Sequence, residues 1–256
     1  MNVIDNEDKY YRLCRSLKPT FKWWFAYQRI DNCYFISKPP INMSNYLFVA
    51  GETVSIQKLT SHFEENLEMD EQQISIHKIS NEKSVFVIER RNKEIDTSIL
   101  VHSSSEGVYF RGQALDHETS SMILGVKGFF QFQEKFPDYK KPMHLADFEG
   151  SFILARWDEN KISLQSDLYS MYRLIYFASN EIIIASDSLV LISECMKVLG
   201  IEREINRDTA IIKAWNLSGL PNSPISRELI IKDTFTVQVG GYVEVNWFDN
   251  GIDANI

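Results

Sequence analysis

The chain has 256 residues, with 27 Lys+Arg against 35 Asp+Glu and a formal net charge of −8. Its 44% hydrophobic and 12% aromatic content is that of a globular chain and excludes long disorder, collagen-like repeats and coiled-coil designs. The acidic balance argues against nonspecific nucleic-acid binding, which needs concentrated Lys and Arg to displace counterions.

In chain order, residues 21–36 read as two aromatic-rich strands around a turn at Asp31-Asn32, closed by Pro39-Pro40. Residues 46–49 and 54–56 flank Gly51 and predict a hairpin, and 59–67 has helical spacing. Residues 74–79, 84–89, 98–102 and 107–110 continue as short strands. Asp116, Thr119 or Ser120 is a candidate cap for a helix through 122–127, and 129–136 has helical apolar spacing up to Pro137. Strands are then predicted at 151–157, 162–167, 174–177 and 181–185. Residues 186–199 read as an amphipathic helix capped by Ser186 or Asp187 and closed by Gly200. A short capped helix at 206–214, a Pro-containing loop at 219–224 and strands around Gly240-Gly241 complete the reading. Many strands with fewer, segregated helices predict an α+β fold.

Cys14, Cys33 and Cys195 are odd in number and widely spaced, with no CxxC or Cys/His ligand pattern, which predicts reduced thiols in a cytoplasmic protein. The polar N-terminal stretch is unlike a secretory leader, and no apolar run approaches the roughly 20 residues needed to span a bilayer. His62, His77, His102, His117 and His144 are scattered without metal-ligand spacing. Lys83, Arg90, Arg91 and Lys93 come closest to a basic patch and read as a solvated face. The sequence holds no Walker loop, dinucleotide glycine motif, HExxH or nucleophile elbow.

Residues 145–191 are the informative stretch. Phe148-Glu149-Gly150-Ser151-Phe152 is followed by Trp157-Asp158, Asp167, Leu174-Ile175-Tyr176 and Ala185-Ser186. In order and spacing this resembles the glutamine-amidotransferase domain of the asparagine synthetase family. Upstream, Arg111-Gly112-Gln113 stands where that family has an Asn-Gly-Glu-like turn that binds glutamine. Downstream, 206–249 resembles the family's connector into its ATP-using domain. The resemblance implies a four-layer αββα sandwich of the N-terminal-nucleophile hydrolase kind over residues 1–200. Residues 201–256 would then lead toward a synthetase domain.

The same resemblance locates what this sequence lacks. The family's nucleophile is an N-terminal Cys whose own α-amine is the general base, whereas loss of the initiator Met here exposes Asn2. Cys33 could serve only after cleavage, and Tyr34-Phe35 follow it instead of small residues. Arg111 in place of Asn adds repulsion toward the substrate ammonium, and Gln113 removes its counter-charge. The Asp expected early in the next helix has no counterpart in 125–130. Arg111, Gly112, Gln113 and Asp167 are therefore expected to line a degenerate pocket, with no catalytic residue and no metal. Nor does the sequence through Ile256 contain the family's Ser-Gly-Gly pyrophosphate loop.

The expected function is an inactive amidotransferase-like scaffold without catalysis or cofactor of its own. It would serve an ATP-dependent, Mg-using amide ligase encoded separately or absent from this chain, as in the β-lactam synthetase and lasso-peptide cyclase branches. Natural-product or peptide modification would be its setting, with homo-oligomerisation left open and neither nucleic acid nor membrane as partner. Two alternatives stand beside this. One is a fragment of a glutamine-hydrolysing asparagine synthetase. The other is a non-enzymatic interaction or regulatory protein that uses the old cleft, or Trp23, Trp24, Phe25 and Tyr27, for contacts.

Overall fold

The computed structural model describes residues 46–66, 72–90, 99–101, 105–136, 148–167, 171–179, 181–216, 227–237, 241–248 and 251–255. The strands expected at 21–36, the aromatic cluster within them, Cys14, Cys33, Arg91, Lys93, His102, His144 and the loop at 219–224 lie outside these residues.

The chain alternates short strands with few helices. β1 (Tyr46–Glu52) leads into α1 (Thr53–Asn66). β2 (Gln72–Lys78), β3 (Lys83–Arg90), β4 (Ile99–Val101), β5 (Gly107–Asp116) and β6 (Ser121–Leu124) precede α2 (Gly125–Lys135). β7 (Phe148–Trp157), β8 (Lys161–Ser166), β9 (Ile175–Ala178) and β10 (Ile182–Ser186) follow. The remainder is α3 (Leu189–Leu199), α4 (Arg207–Asn216), β11 (Thr234–Thr236), β12 (Tyr242–Phe248) and β13 (Gly251–Asn255). This is an α+β fold, as the segregated pattern predicts.

The strands form two sheets, and every described pairing is antiparallel. One sheet runs β11-β9-β10-β1-β3-β2; the other runs β13-β12-β8-β7-β5-β4, with β6 beside β4 on the same edge of β5. The stretch expected as a connector supplies strands to both sheets, because β11 pairs with β9 and β12 with β8.

Strand alternation divides the apolar residues among three cores. Tyr46, Phe48, Val85 and Val87 of the first sheet meet Tyr109, Ile153, Trp157, Leu164 and Val243 of the second. On its other face the first sheet sends Leu47, Val49, Phe86 and Ile184 against Ile56, Leu59 and Phe63 of α1 and Leu191, Ile192 and Cys195 of α3. The second sheet sends Val108, Phe110, Phe152 and Leu154 against Val126, Phe129 and Phe132 of α2. Both faces of the central strands are thus covered, which is why β1 and β10 read as unbroken apolar runs instead of alternating ones.

Local chemistry fixes the element ends. Asp158 Oδ1 accepts from the Asn160 and Lys161 amides at 2.7 and 2.9 Å, closing the β7–β8 corner that Trp157-Asp158 predicts. Gly200 adopts φ 74° and ends α3 with its N–H toward the Lys197 and Met196 carbonyls, a conformation glycine enters without strain. Asn206 caps α4 by accepting from the Thr209 amide at 3.0 Å.

Three expectations are corrected. β1 runs through Gly51, and residues 54–56 belong to α1 instead of a second hairpin strand. Residues 122–124 form β6, so the helix begins at Gly125. The cap of α3 is Ser188, which accepts from the Leu191 amide; Ser186 instead accepts from the Ser188 amide and donates to the Tyr46 carbonyl at 2.7 Å.

Candidate functional site

One end of the space between the sheets is polar, and strand register builds it. Tyr46, the first residue of β1, lies opposite Glu89 near the end of β3. In the other sheet Arg111 lies opposite Ile153, which lies opposite Ser166. Alternation carries all four inward. Tyr46 and Glu89 follow the parity of Phe48 and of Val85 and Val87, Arg111 that of Tyr109, and Ser166 that of Ile162 and Leu164.

An ion pair ties the two sheets together here. Arg111 Nη1 donates to Glu89 Oε2 at 3.1 Å and to the Arg90 carbonyl at 2.9 Å. The side chains are only 15% and 5% exposed, so the pair sits in the regime where losing one partner is costly. Burial lowers the pKa of Arg111, but Tyr109, Glu89 and Tyr172 outweigh it and hold the guanidinium above its ordinary value. Tyr109 is fully buried, and desolvation, reinforced by Glu89, raises its pKa well above the usual phenol value. Its hydroxyl lies within electrostatic reach of Arg111 yet makes no hydrogen bond of ordinary geometry. Tyr46 is likewise raised by burial and then by Asp187, and its hydroxyl donates to the Arg173 carbonyl at 2.9 Å.

Of the four residues expected to line a pocket, Arg111 is in this cluster. Gly112 shapes the backbone beside it. Its φ is +108°, and a Cβ there would lie 2.1 Å from the Ser151 carbonyl oxygen, so only glycine lets β7 approach. Gln113 is exposed and stays out of the cluster. Asp167 is fully buried and acts through a turn, its carboxylate accepting from the Met171 and Tyr172 amides at 3.0 and 2.9 Å. That turn places Tyr172 near Arg111, where it helps hold the guanidinium above its ordinary pKa.

Sequence reasoning missed Tyr46, Glu89, Tyr109, Ser166 and Tyr172. Glu89 carried a usable signal, being a charged residue at the inward parity of an otherwise apolar strand, in step with Val85 and Val87. The others look like ordinary strand and turn residues until register brings them together.

The remaining candidates lie elsewhere. Cys195 sits in the core between the first sheet and its helices, with burial first among the causes that raise its thiol pKa. His62 Nε2 is 3.2 Å from Glu194 Oε1 between α1 and α3, and His117 Nε2 is 3.0 Å from Glu149 Oε2 at the surface. Among the described residues no three His, Cys, Asp or Glu converge to hold a metal ion. Lys83 and Arg90 stand at opposite ends of β3, roughly 24 Å apart at strand rise, so they form no shared patch. No helix among the described residues is long and apolar enough to cross a membrane.

No protein-family model matches the chain, and no curated protein matches it. Among solved structures it is similar to glutamine phosphoribosylpyrophosphate amidotransferase from B. subtilis complexed with ADP and GMP. The identity is 9%, the match covers 82% of this chain and 48% of that one, and the TM-score is 0.39. It is also similar to a structure described as the allosteric regulatory enzyme of purine biosynthesis, at 10% identity, the same coverage and a TM-score of 0.42. The chain spans about half the length of these structures, and the likeness is one of coarse fold outline alone.

Proposed function

We propose that this chain is an amidotransferase-like domain without glutaminase activity, acting as the scaffold of a separate ATP-dependent amide ligase. Three features of the molecule support that reading. The three cores are consistent with an αββα layer order, with α1 and α3 outside one sheet and α2 outside the other. The positions that resemble the asparagine synthetase family fall in sequence on β7, the β7–β8 corner, the residue after β8, the start of β9 and the end of β10. Finally, Arg111 and Glu89 occupy the polar end of the inter-sheet space as a mutual ion pair.

That pair is the observation that carries the proposal. A glutamine α-ammonium needs an uncommitted carboxylate, and here Glu89 already neutralises Arg111 while Asp167 accepts two backbone amides. Arg111 itself repels an ammonium at this point. Cys195 faces the opposite side of the sheet, so it offers the cleft no thiolate. The amide-forming chemistry, with its ATP and Mg, would belong to the partner, and a cytoplasmic location is part of the same proposal.

Ammonia release from glutamine by the purified chain tests it. The expected result is release no faster than the buffer blank, together with co-purification of an adjacent-gene ligase whose turnover depends on this chain. Release that disappears in Cys14→Ala or Cys33→Ala would establish a glutaminase instead.

A further inference from the structure

The strands that end the two sheets differ in how much edge they present. Natural edges are kept short, charged, bulged or broken by proline, because a long regular edge templates pairing with another chain. Here β4 and β11 have three residues each, β6 four and β13 five. β2, the outer strand of the first sheet, has seven, and all of them pair with β3 in unbroken register from Gln72↔Arg90 to Lys78↔Ser84. It holds no proline and no bulge, and its single formal charge, Lys78, stands at its end.

The side chains of β2 are complementary to themselves. Ile76 lies opposite Phe86, on the face that α1 and α3 cover, yet it is 52% exposed, whereas Ile74 on the same face packs against that core. Ser75, between them, lies opposite Val87 on the inter-sheet face. An antiparallel two-fold through Ser75 sets Ile76 opposite Ile74 of a second copy, Gln73 opposite His77 and Gln72 opposite Lys78. No like charges face each other, and Ile76 gains an apolar cross-strand neighbour on its open side. The ends match in charge as well. Asp70 and Glu71 precede β2 in the sequence, and the two-fold carries Lys78 of the other copy toward them. Lys78 bonds Asn81 Oδ1 at 3.3 Å and no carboxylate among the described residues.

We propose that β2 is the dimerisation edge of this protein. Two copies join β2 to β2 antiparallel about Ser75, which continues the first sheet from one molecule into the next in the order β1-β3-β2-β2-β3-β1. The contact is one strand wide, so the association is reversible, with a dissociation constant of about 1–100 µM. This surface is separate from the cleft, and the proposal does not depend on the reading of the cleft as one that does not hydrolyse glutamine.

Sedimentation velocity of the full chain between about 1 and 300 µM tests it, with monomer expected at the dilute end and dimer at the concentrated end. Ile76→Lys should weaken dimerisation about tenfold or more while the melting temperature at the dilute end stays unchanged. Met122→Lys, at a site 64% exposed on the other sheet, should dimerise like the parent chain. Ser75→Cys reads the register. The two-fold puts residue 75 opposite itself with Cα atoms about 4.5–5.5 Å apart, which a disulfide spans. Gln73→Cys would stand more than about 13 Å from its own counterpart. Oxidation should therefore give a covalent dimer joined through residue 75, identified by peptide mapping, and none joined through residue 73. The proposal falls if the chain is monomeric throughout, if Ile76→Lys dimerises like the parent, or if position 73 cross-links as readily as position 75.

Discussion

Arg111 and Glu89 show how one pair can govern a whole end of the molecule. Glu89 is buried and Arg111 mostly so, each belongs to a different sheet, and each is the other's charge partner. Arg111→Met strands a buried carboxylate and should cost about 3–5 kcal/mol in urea unfolding. The double change Arg111→Met with Glu89→Leu should return to within about 1–2 kcal/mol of the parent, because apolar replacements of a buried ion pair are often near neutral. A double variant as unstable as the single one would show that the pair positions the strands by more than charge. Burial in the inter-sheet core and in the core beneath α3 also makes the fold sensitive to alkali. Tyr46, Tyr109 and Cys195 all have pKa values raised by burial above their ordinary 10.0, 10.0 and 9.0. The unfolded chain therefore loses these protons first as pH rises, and it is favoured once it does. Stability should be complete below about pH 9 and decline above it, by up to about 1.4 kcal/mol per pH unit for each group that ionises only on unfolding. Urea midpoints between pH 8 and 11 measure this, and Tyr109→Phe should flatten the upper part of the curve.

Among the elements, the β5–β7 ladder depends on two glycines that face each other's strands. Gly112 has φ +108° with Ser151 oxygen 2.1 Å from a built Cβ, and Gly150 has φ +147° with Gln113 oxygen at 2.3 Å. Gly200, at φ +74°, has open space around it. Gly112→Ala should therefore combine backbone strain with overpacking, about 2–4 kcal/mol in all, whereas Gly200→Ala should cost about 1 kcal/mol from strain alone. Guanidinium unfolding of both variants reads the difference, and equal costs would contradict the close approach of β7. Both glycines of the ladder are visible in the sequence, but nothing local marks them as contact points between strands. A similar limit explains the misread β6. Asp116 Oδ2 accepts from the Thr119 amide at 3.0 Å, which is the bond an Asp makes at a helix start and equally in a tight turn between strands. With only the apolar Met122-Ile123-Leu124 to follow, periodicity cannot separate four strand residues from a helical turn. Residues 54–56 failed for a related reason, since Val and Ile favour strands while the burial of Ile56, Leu59 and Phe63 along one helical face decided otherwise.

At the scale of the molecule, order along the chain was legible and convergence across it was not. β7 through α3 follow the sequence pattern closely because they carry local signals: apolar runs in the strands, Asp158 at a corner, Gly200 as the stop of α3. The polar end of the cleft gathers residues from β1, β3, β5, β8 and the turn after Asp167, between 46 and 172 in the chain, and only strand register relates them. Arg111, named from the sequence, lies at this polar end, and its partner Glu89 lies 22 residues earlier in the other sheet. The layout also makes the outer cores separable. Phe63 packs among the helices on the first sheet, 6.0 Å from Phe86, and Phe129 packs on the second, 5.1 Å from Phe110. These two cores share no residue. Phe63→Ala and Phe129→Ala should each cost about 3–5 kcal/mol from lost burial and a partly uncollapsed cavity. Because the sites have no common partner, the double variant should equal the sum within about 0.5 kcal/mol. Conservative Phe→Leu changes give the same cycle at lower cost if the double alanine variant is too unstable to measure. A coupling above about 1 kcal/mol would mean that the sheets transmit strain between their outer faces, and the two-core description would have to give way to a single cooperative one.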